Sequence, residues 1–165
     1  MQRGLPTLKN LFRSVLLLSA LTAASAHAAE KIDLIIDTDP GADDVVALLF
    51  AMASPQELSI RALTTVAGNV RLDKTSRNAR LAREWAGRED IPVYAGAPKP
   101  MLRTPIYAEN IHGKEGISGV AVHEPKKGLA EGNAVDYLIK TLSTAKPHSI
   151  TTVSYTHLRA HETKA

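Results

Sequence analysis

Lys31-Ile32-Asp33-Leu34-Ile35-Ile36-Asp37-Thr38-Asp39-Pro40-Gly41-Ala42-Asp43-Asp44-Val45-Val46-Ala47-Leu48-Leu49-Phe50-Ala51-Met52 decides how this chain folds. Its first part is an apolar run, Ile32, Leu34, Ile35 and Ile36, interrupted only by Asp33. A short run rich in β-branched residues and closed by a turn signal reads as a buried strand. Pro40 and Gly41 supply that turn. Beyond them Val45, Leu48, Leu49 and Met52 recur at helical spacing. The stretch therefore reads strand, tight loop, helix.

Four carboxylates crowd the junction: Asp37, Asp39, Asp43 and Asp44. Like charges so close raise one another's pKa unless a cation offsets them. A helix N-terminus welcomes Asp43 and Asp44 through its dipole and free N–H groups. It does not account for Asp37 and Asp39 at the mouth of a strand. A hard divalent cation with oxygen ligands accounts for all four. The carboxyl end of a parallel strand is also where open α/β sheets bind ligands. An EF-hand is excluded, because Pro40 interrupts the loop and no Glu closes it at the twelfth position.

Three motifs in order carry a family resemblance. Asp37-Thr38-Asp39-Pro40-Gly41-Ala42-Asp43-Asp44 resembles the N-terminal signature of the nucleoside hydrolases, the inosine-uridine preferring type and its relatives. Thr64-Thr65-Val66-Ala67-Gly68-Asn69 resembles that family's next motif at the expected distance. Ile111-His112-Gly113 with Gly116 resembles its third, Glu115 standing where the family often has an acid. The resemblance covers residues 32–153.

The sequence has 165 residues, enough for one domain with a real core. The absence of Cys excludes disulfides and thiolate metal sites. The formal charge of +3 comes wholly from Arg3, Lys9 and Arg13 near the start; elsewhere acids and bases balance. The basic character is thus no argument for a nucleic-acid or membrane partner. Those three bases precede an apolar stretch, 15–24, followed by Ala26-His27-Ala28. This is the pattern of a secretory signal over residues 1–28, too short in its apolar part to span a bilayer. Cleavage after Ala28 predicts export to the periplasm or the medium, with no membrane attachment afterwards. No Cys at the cleavage site means no lipid anchor there.

Residues 58–66 read as a second strand, ended by Gly68-Asn69. A helix is predicted over 71–86, with Leu72, Ala79, Ala82 and Trp85 or Ala86 on one face and charged residues on the other. Residues 91–95 form a short third strand. Residues 96–127, with Pro98, Pro100, Pro105 and Pro125, form a long irregular stretch. Loops this long are functional or disordered. A helix follows over 133–144, burying Ala134, Tyr137, Leu138 and Leu142, and a fourth strand starts at 149–153. The alternation predicts an α/β fold, a doubly wound and mostly parallel sheet with helices on both faces. Residues 29–153 thus make the N-terminal part of a nucleoside hydrolase-like domain. Residues 154–165 are polar and unlike the family, which suggests a frameshifted or vector-derived end. His157 and His161 there lack acid or Cys partners for a metal site.

The resemblance implies hydrolysis of the N-glycosidic bond of ribonucleosides, small neutral substrates, with Ca2+ as cofactor. It implies that Asp39 and Asp44 ligate calcium and that Asp39 is also the general base. Asp43 would hydrogen-bond a ribose hydroxyl, and Asn69 would line the same pocket. Asp37 has two readings: it orients a ligand from behind, or it is a strand-end acid bonded to backbone N–H groups. His112 also has two: a group brought over the substrate by its Gly-rich loop, or an exposed, inert histidine. Trp85 and Tyr94 read as packing residues. Members of the family are commonly homo-oligomers, and base preference is set mostly by segments beyond this stretch. Further ligands, ribose-binding residues and a late His-Asp pair also come from there. The chain alone is therefore expected to bind calcium weakly and to hydrolyse nothing.

Two other classes fit part of the pattern. A haloacid-dehalogenase-type magnesium phosphatase would use Asp37 as nucleophile and Asp39 as acid. The Pro-Gly-x-Asp-Asp continuation does not suit it. A calcium-dependent binder of nucleosides or sugars would use the same acids without catalysis.

Overall fold

A computed structural model describes residues 30–154. The leader, 1–28, and His157 and His161 lie outside the described residues. The fold described is that of the unit that begins at Lys31.

Strand β1 (Ile32–Thr38) leads through Pro40-Gly41 into helix α1 (Ala42–Met52). Strand β2 (Leu58–Thr65), helix α2 (Leu72–Trp85) and strand β3 (Val93–Ala95) follow. A single turn, α3 (Glu109–His112), interrupts the long irregular stretch before α4 (Ala134–Thr144) and β4 (Thr151–Ser154). The strands form one parallel sheet in the order β3-β2-β1-β4. β1 therefore lies inside the sheet, which suits its apolar run Leu34-Ile35-Ile36.

Alternation along β1 divides it by face. Leu34 and Ile36 join Val45, Leu48 and Met52 of α1 and Ala79, Leu81 and Ala82 of α2 in the main core. Ile35 and Asp37 point the other way, into a cleft that also meets α4. β2 keeps the same division only through a bulge. The register shifts between Leu34 and Ile35, so that Arg61 has no partner on β1. Ile60 and Leu63, three apart, both reach the main core for that reason. Arg61 itself pairs with Asp33 on the neighbouring strand.

Several expectations change in detail. β3 starts at Val93 rather than residue 91, since Pro92 has no N–H for a ladder. The charged face of α2 is not solvated. Arg80 and Arg83 are buried because the irregular stretch folds over that face. Arg80 meets Glu124, and Arg83 donates to the carbonyls of Ile91, Lys127 and Gly128. Trp85, in turn, is largely exposed. On α4 only Ala134 is fully buried. Leu138 and Leu142 line the cleft instead of closing on the sheet. Tyr94 is a packing residue, as expected: its ring stacks on Tyr137 at 4.3 Å between centroids.

Candidate active site at the carboxyl end of the sheet

β1 and β2 run parallel and end side by side, which brings the acidic loop and the Val66-Ala67-Gly68-Asn69 turn together. Asn69 joins them. Its backbone N–H donates to Asp39 Oδ2 at 2.7 Å. Its side-chain Nδ2 donates to the Asp39 carbonyl at 3.0 Å and to Asp44 Oδ2 at 2.9 Å. The approach needs Gly68, where a Cβ would lie 2.0 Å from Asp39 Oδ2.

Asp44 is the most heavily engaged acid. Besides Asn69 it accepts Thr38 Oγ1 at 3.0 Å and the Gly41 N–H at 3.0 Å. The last contact is a helix cap, so the capping account holds for Asp44 while leaving its other bonds to be explained. Asp43, one residue earlier on α1, has a side chain 75% exposed. Asp37 lies between strands. Thr64 Oγ1 of β2 donates to its Oδ1 at 2.8 Å, and Ser154 Oγ of β4 to its Oδ2 at 3.0 Å. Its partners are hydroxyls of the flanking strands and not backbone N–H groups.

His112 is not an exposed histidine: its side chain is 14% exposed. The ring sits on the start of α1, where the Ala42 N–H donates to Nδ1 at 3.4 Å and Asp43 Oδ1 lies 3.7 Å away. Gly41 makes room for it, since a Cβ there would stand 2.9 Å from Nδ1.

A cleft of about 800 Å³ opens beside this cluster. Asp37, Asp39 and Asn69 line it, with Lys99, Arg103 and Tyr107 from the irregular stretch. Asp43, Asp44 and His112 are not among its lining residues. Asp44 borders a smaller hollow on the helix side of β1, with Leu34, Ile36 and Val153. A pocket this size suits a small organic ligand.

Carboxylates are the donors a hard cation prefers, and each ionised oxygen can accept more than one bond. In kind, then, Asp39 and Asp44 fit calcium. In number they fall short: among the described residues no three His, Asp or Glu side chains are grouped to hold an ion.

Several residues that build this site were not singled out from the sequence. Asn78, fully buried on α2, donates through Nδ2 to the Pro40 and Glu115 carbonyls. Arg77 and Lys74 grip the Glu115 carboxylate. The Arg77 hydrogen bond holds that carboxyl below the usual range. These side chains read as the polar face of an amphipathic helix, and only the loop folded against them makes them structural.

The profile of the family described as inosine-uridine preferring nucleoside hydrolase matches residues 34–158. An uncharacterized protein of Schizosaccharomyces pombe is 50% identical over 118 residues, 72% of this chain and 38% of its own length. A pyrimidine-specific ribonucleoside hydrolase, RihA of Salmonella schwarzengrund, is 48% identical over 109 residues, 66% of this chain and 35% of its length. A solved plant nucleoside hydrolase superposes with a TM-score of 0.66 at 38% identity, covering 79% of this chain and 42% of that one. A purine-preferring ribonucleoside hydrolase from Gardnerella vaginalis gives 0.62 at 28% identity, covering 68% and 36%. The chain thus spans well under half the length of these relatives. On its sequence motifs, its parallel sheet and these matches, it belongs to the inosine-uridine preferring nucleoside hydrolase family.

Proposed function

We propose that this chain forms the acidic half of a site that hydrolyses the N-glycosidic bond of ribonucleosides. The observation that carries the reading is the convergence of Asp37, Asp39 and Asn69 on one cleft at the carboxyl ends of β1 and β2, with Asp44 tied in through Asn69. Loss of the base leaves positive charge on the ribose, as in other glycoside hydrolysis. Carboxylates fixed beside that charge stabilise it without reorganising.

In this reading Asp39 accepts the proton of the attacking water and, with Asp44, holds Ca2+. Calcium supplies a bound, acidified water and an anchor for ribose hydroxyls. Asp43, exposed at the start of α1, hydrogen-bonds a ribose hydroxyl. Asn69 holds the two acidic segments at a fixed spacing and borders the sugar. Asp37, held on both sides by Thr64 and Ser154, acts from behind on its neighbour Asp39. His112 reaches substrate from the start of α1. The remaining ligands come from outside the described residues. One relative is named for pyrimidine specificity and another for purine preference, so the base remains an experimental variable. The leader pattern supports an exported, periplasmic or extracellular protein.

The test is calorimetry of the chain with inosine and uridine, with calcium or EDTA, beside a ribose-release assay. Calcium-dependent binding, absent in Asp39→Asn, with no ribose above the EDTA blank, is the expected result. No calcium-dependent binding overturns the site. Ribose release overturns the statement that ligands are lacking. Binding that persists without turnover in a longer protein holding the family's other segments would favour a calcium-dependent binder.

A further inference from the structure

The acidic loop and the His112 loop are far apart in sequence, yet the imidazole Nδ1 accepts the Ala42 N–H at 3.4 Å at the start of α1. Something must set that spacing. α3 is a single turn: its own hydrogen bonds run to residues 108 and 109, and the Ala108 N–H donates to the Asn69 carbonyl at 2.8 Å, which ties the start of the turn but not the loop that follows it.

One side chain reaches both loops. The Asn78 amide has two hydrogens. Its Nδ2 lies 3.0 Å from the Pro40 carbonyl and 2.9 Å from the Glu115 carbonyl. Pro40 directly precedes Gly41, against which His112 rests. Glu115 lies three residues after His112. The amide cannot be turned over. Arg77 Nη2, which can only donate, lies 3.2 Å from Oδ1, and both carbonyls can only accept. Gly116 is shaped to the same contact. Its φ is +80°, and a Cβ would fall 2.7 Å from Nδ2.

We infer that Asn78 is a positioning residue: it clips the Pro40 turn to the Glu115 turn and so seats the His112 imidazole over Gly41 and Ala42. The inference deepens the proposed reading, because His112 can serve a substrate only if its ring is held there. Lys74 and Arg77 hold the same loop from a partly exposed position, through the Glu115 carboxylate and, for Arg77 Nη2, through the Glu115 carbonyl at 3.1 Å. Of these three side chains only the Asn78 amide also reaches the Pro40 carbonyl, in the interior.

The test needs no substrate, so it reports on Asn78 whether or not the chain acts on nucleosides. A nuclear Overhauser cross-peak between the Gly41 Hα and the His112 Cε1 hydrogen reads the seat directly. It is expected in the unaltered chain and in Glu115→Ala, which keeps the carbonyl, and to be lost in Asn78→Ala with the melt still cooperative. A folded Asn78→Ala that keeps the cross-peak overturns the inference, as does its loss in Glu115→Ala. If Asn78→Ala does not fold, Gly116→Ala decides by the same cross-peak: loss supports the clip, retention overturns it. If neither folds, Asn78 is a residue of general stability and the inference fails.

Discussion

Asp39 owes its place to an absence of atoms at Gly68. Any side chain there would enter the carboxylate, at 2.0 Å from Oδ2. Gly68→Ala is expected to push Asp39 off the Asn69 N–H and to cost about 2 kcal/mol, the scale of a charge-assisted hydrogen bond. A lowered urea midpoint with unchanged slope would show it. Arg83 is the opposite case, a long cation 1% exposed. Burial lowers its pKa, and its charge is kept by three carbonyl acceptors. Arg83→Met would leave those carbonyls without their donor, at an expected cost of about 3 kcal/mol by chemical denaturation. The acids of the site were legible in the sequence because Asp-x-Asp-Pro-Gly-x-Asp-Asp has no bland explanation for all its charges. Asn78 and Arg83 were not. A buried amide or guanidinium on a helix is written in the same letters as an exposed one. Only the loop laid over it decides.

Helix α2 does more than cover the sheet. Its Thr75, Ser76, Asn78, Arg80 and Arg83 are buried, and each bonds a loop or a strand end. Glu115 answers from the loop side. Its carboxyl titrates below its ordinary 4.5 when folded, chiefly through Arg77. A depressed carboxylate stabilises the fold above its unfolded pKa and loses that stabilisation as pH falls through the folded value. The melting temperature should therefore decline below about pH 4.5 more steeply in the unaltered chain than in Glu115→Gln. Equal slopes would show that the pair adds nothing. Element types and order follow from periodicity and turn residues. The bulge at Arg61 does not, because a strand with one extra residue still reads as a strand. Its register appears only when β1 is laid beside it.

At the scale of the molecule the described sheet is unevenly covered. α1 and α2 close one face, while β4 at the other edge keeps Val153 46% exposed. An uncharged edge strand with an exposed apolar side chain is a template for pairing with another chain. Concentration-dependent light scattering is expected, and Val153→Lys should suppress it without lowering the melting temperature by more than a degree or so. Scattering unchanged by that substitution would place the association elsewhere. A different consequence follows from the alternation in β1. Leu34 and Ile36 are spent on cohesion, while Ile35, Asp37 and Asp39 border the cleft. Leu34 and Ile36 can therefore vary for hardiness without touching the surface a ligand meets, whereas a change at Ile35, Asp37 or Asp39 alters ligand and fold together. The seven-residue strand and its loop thus tie recognition to folding on one face only.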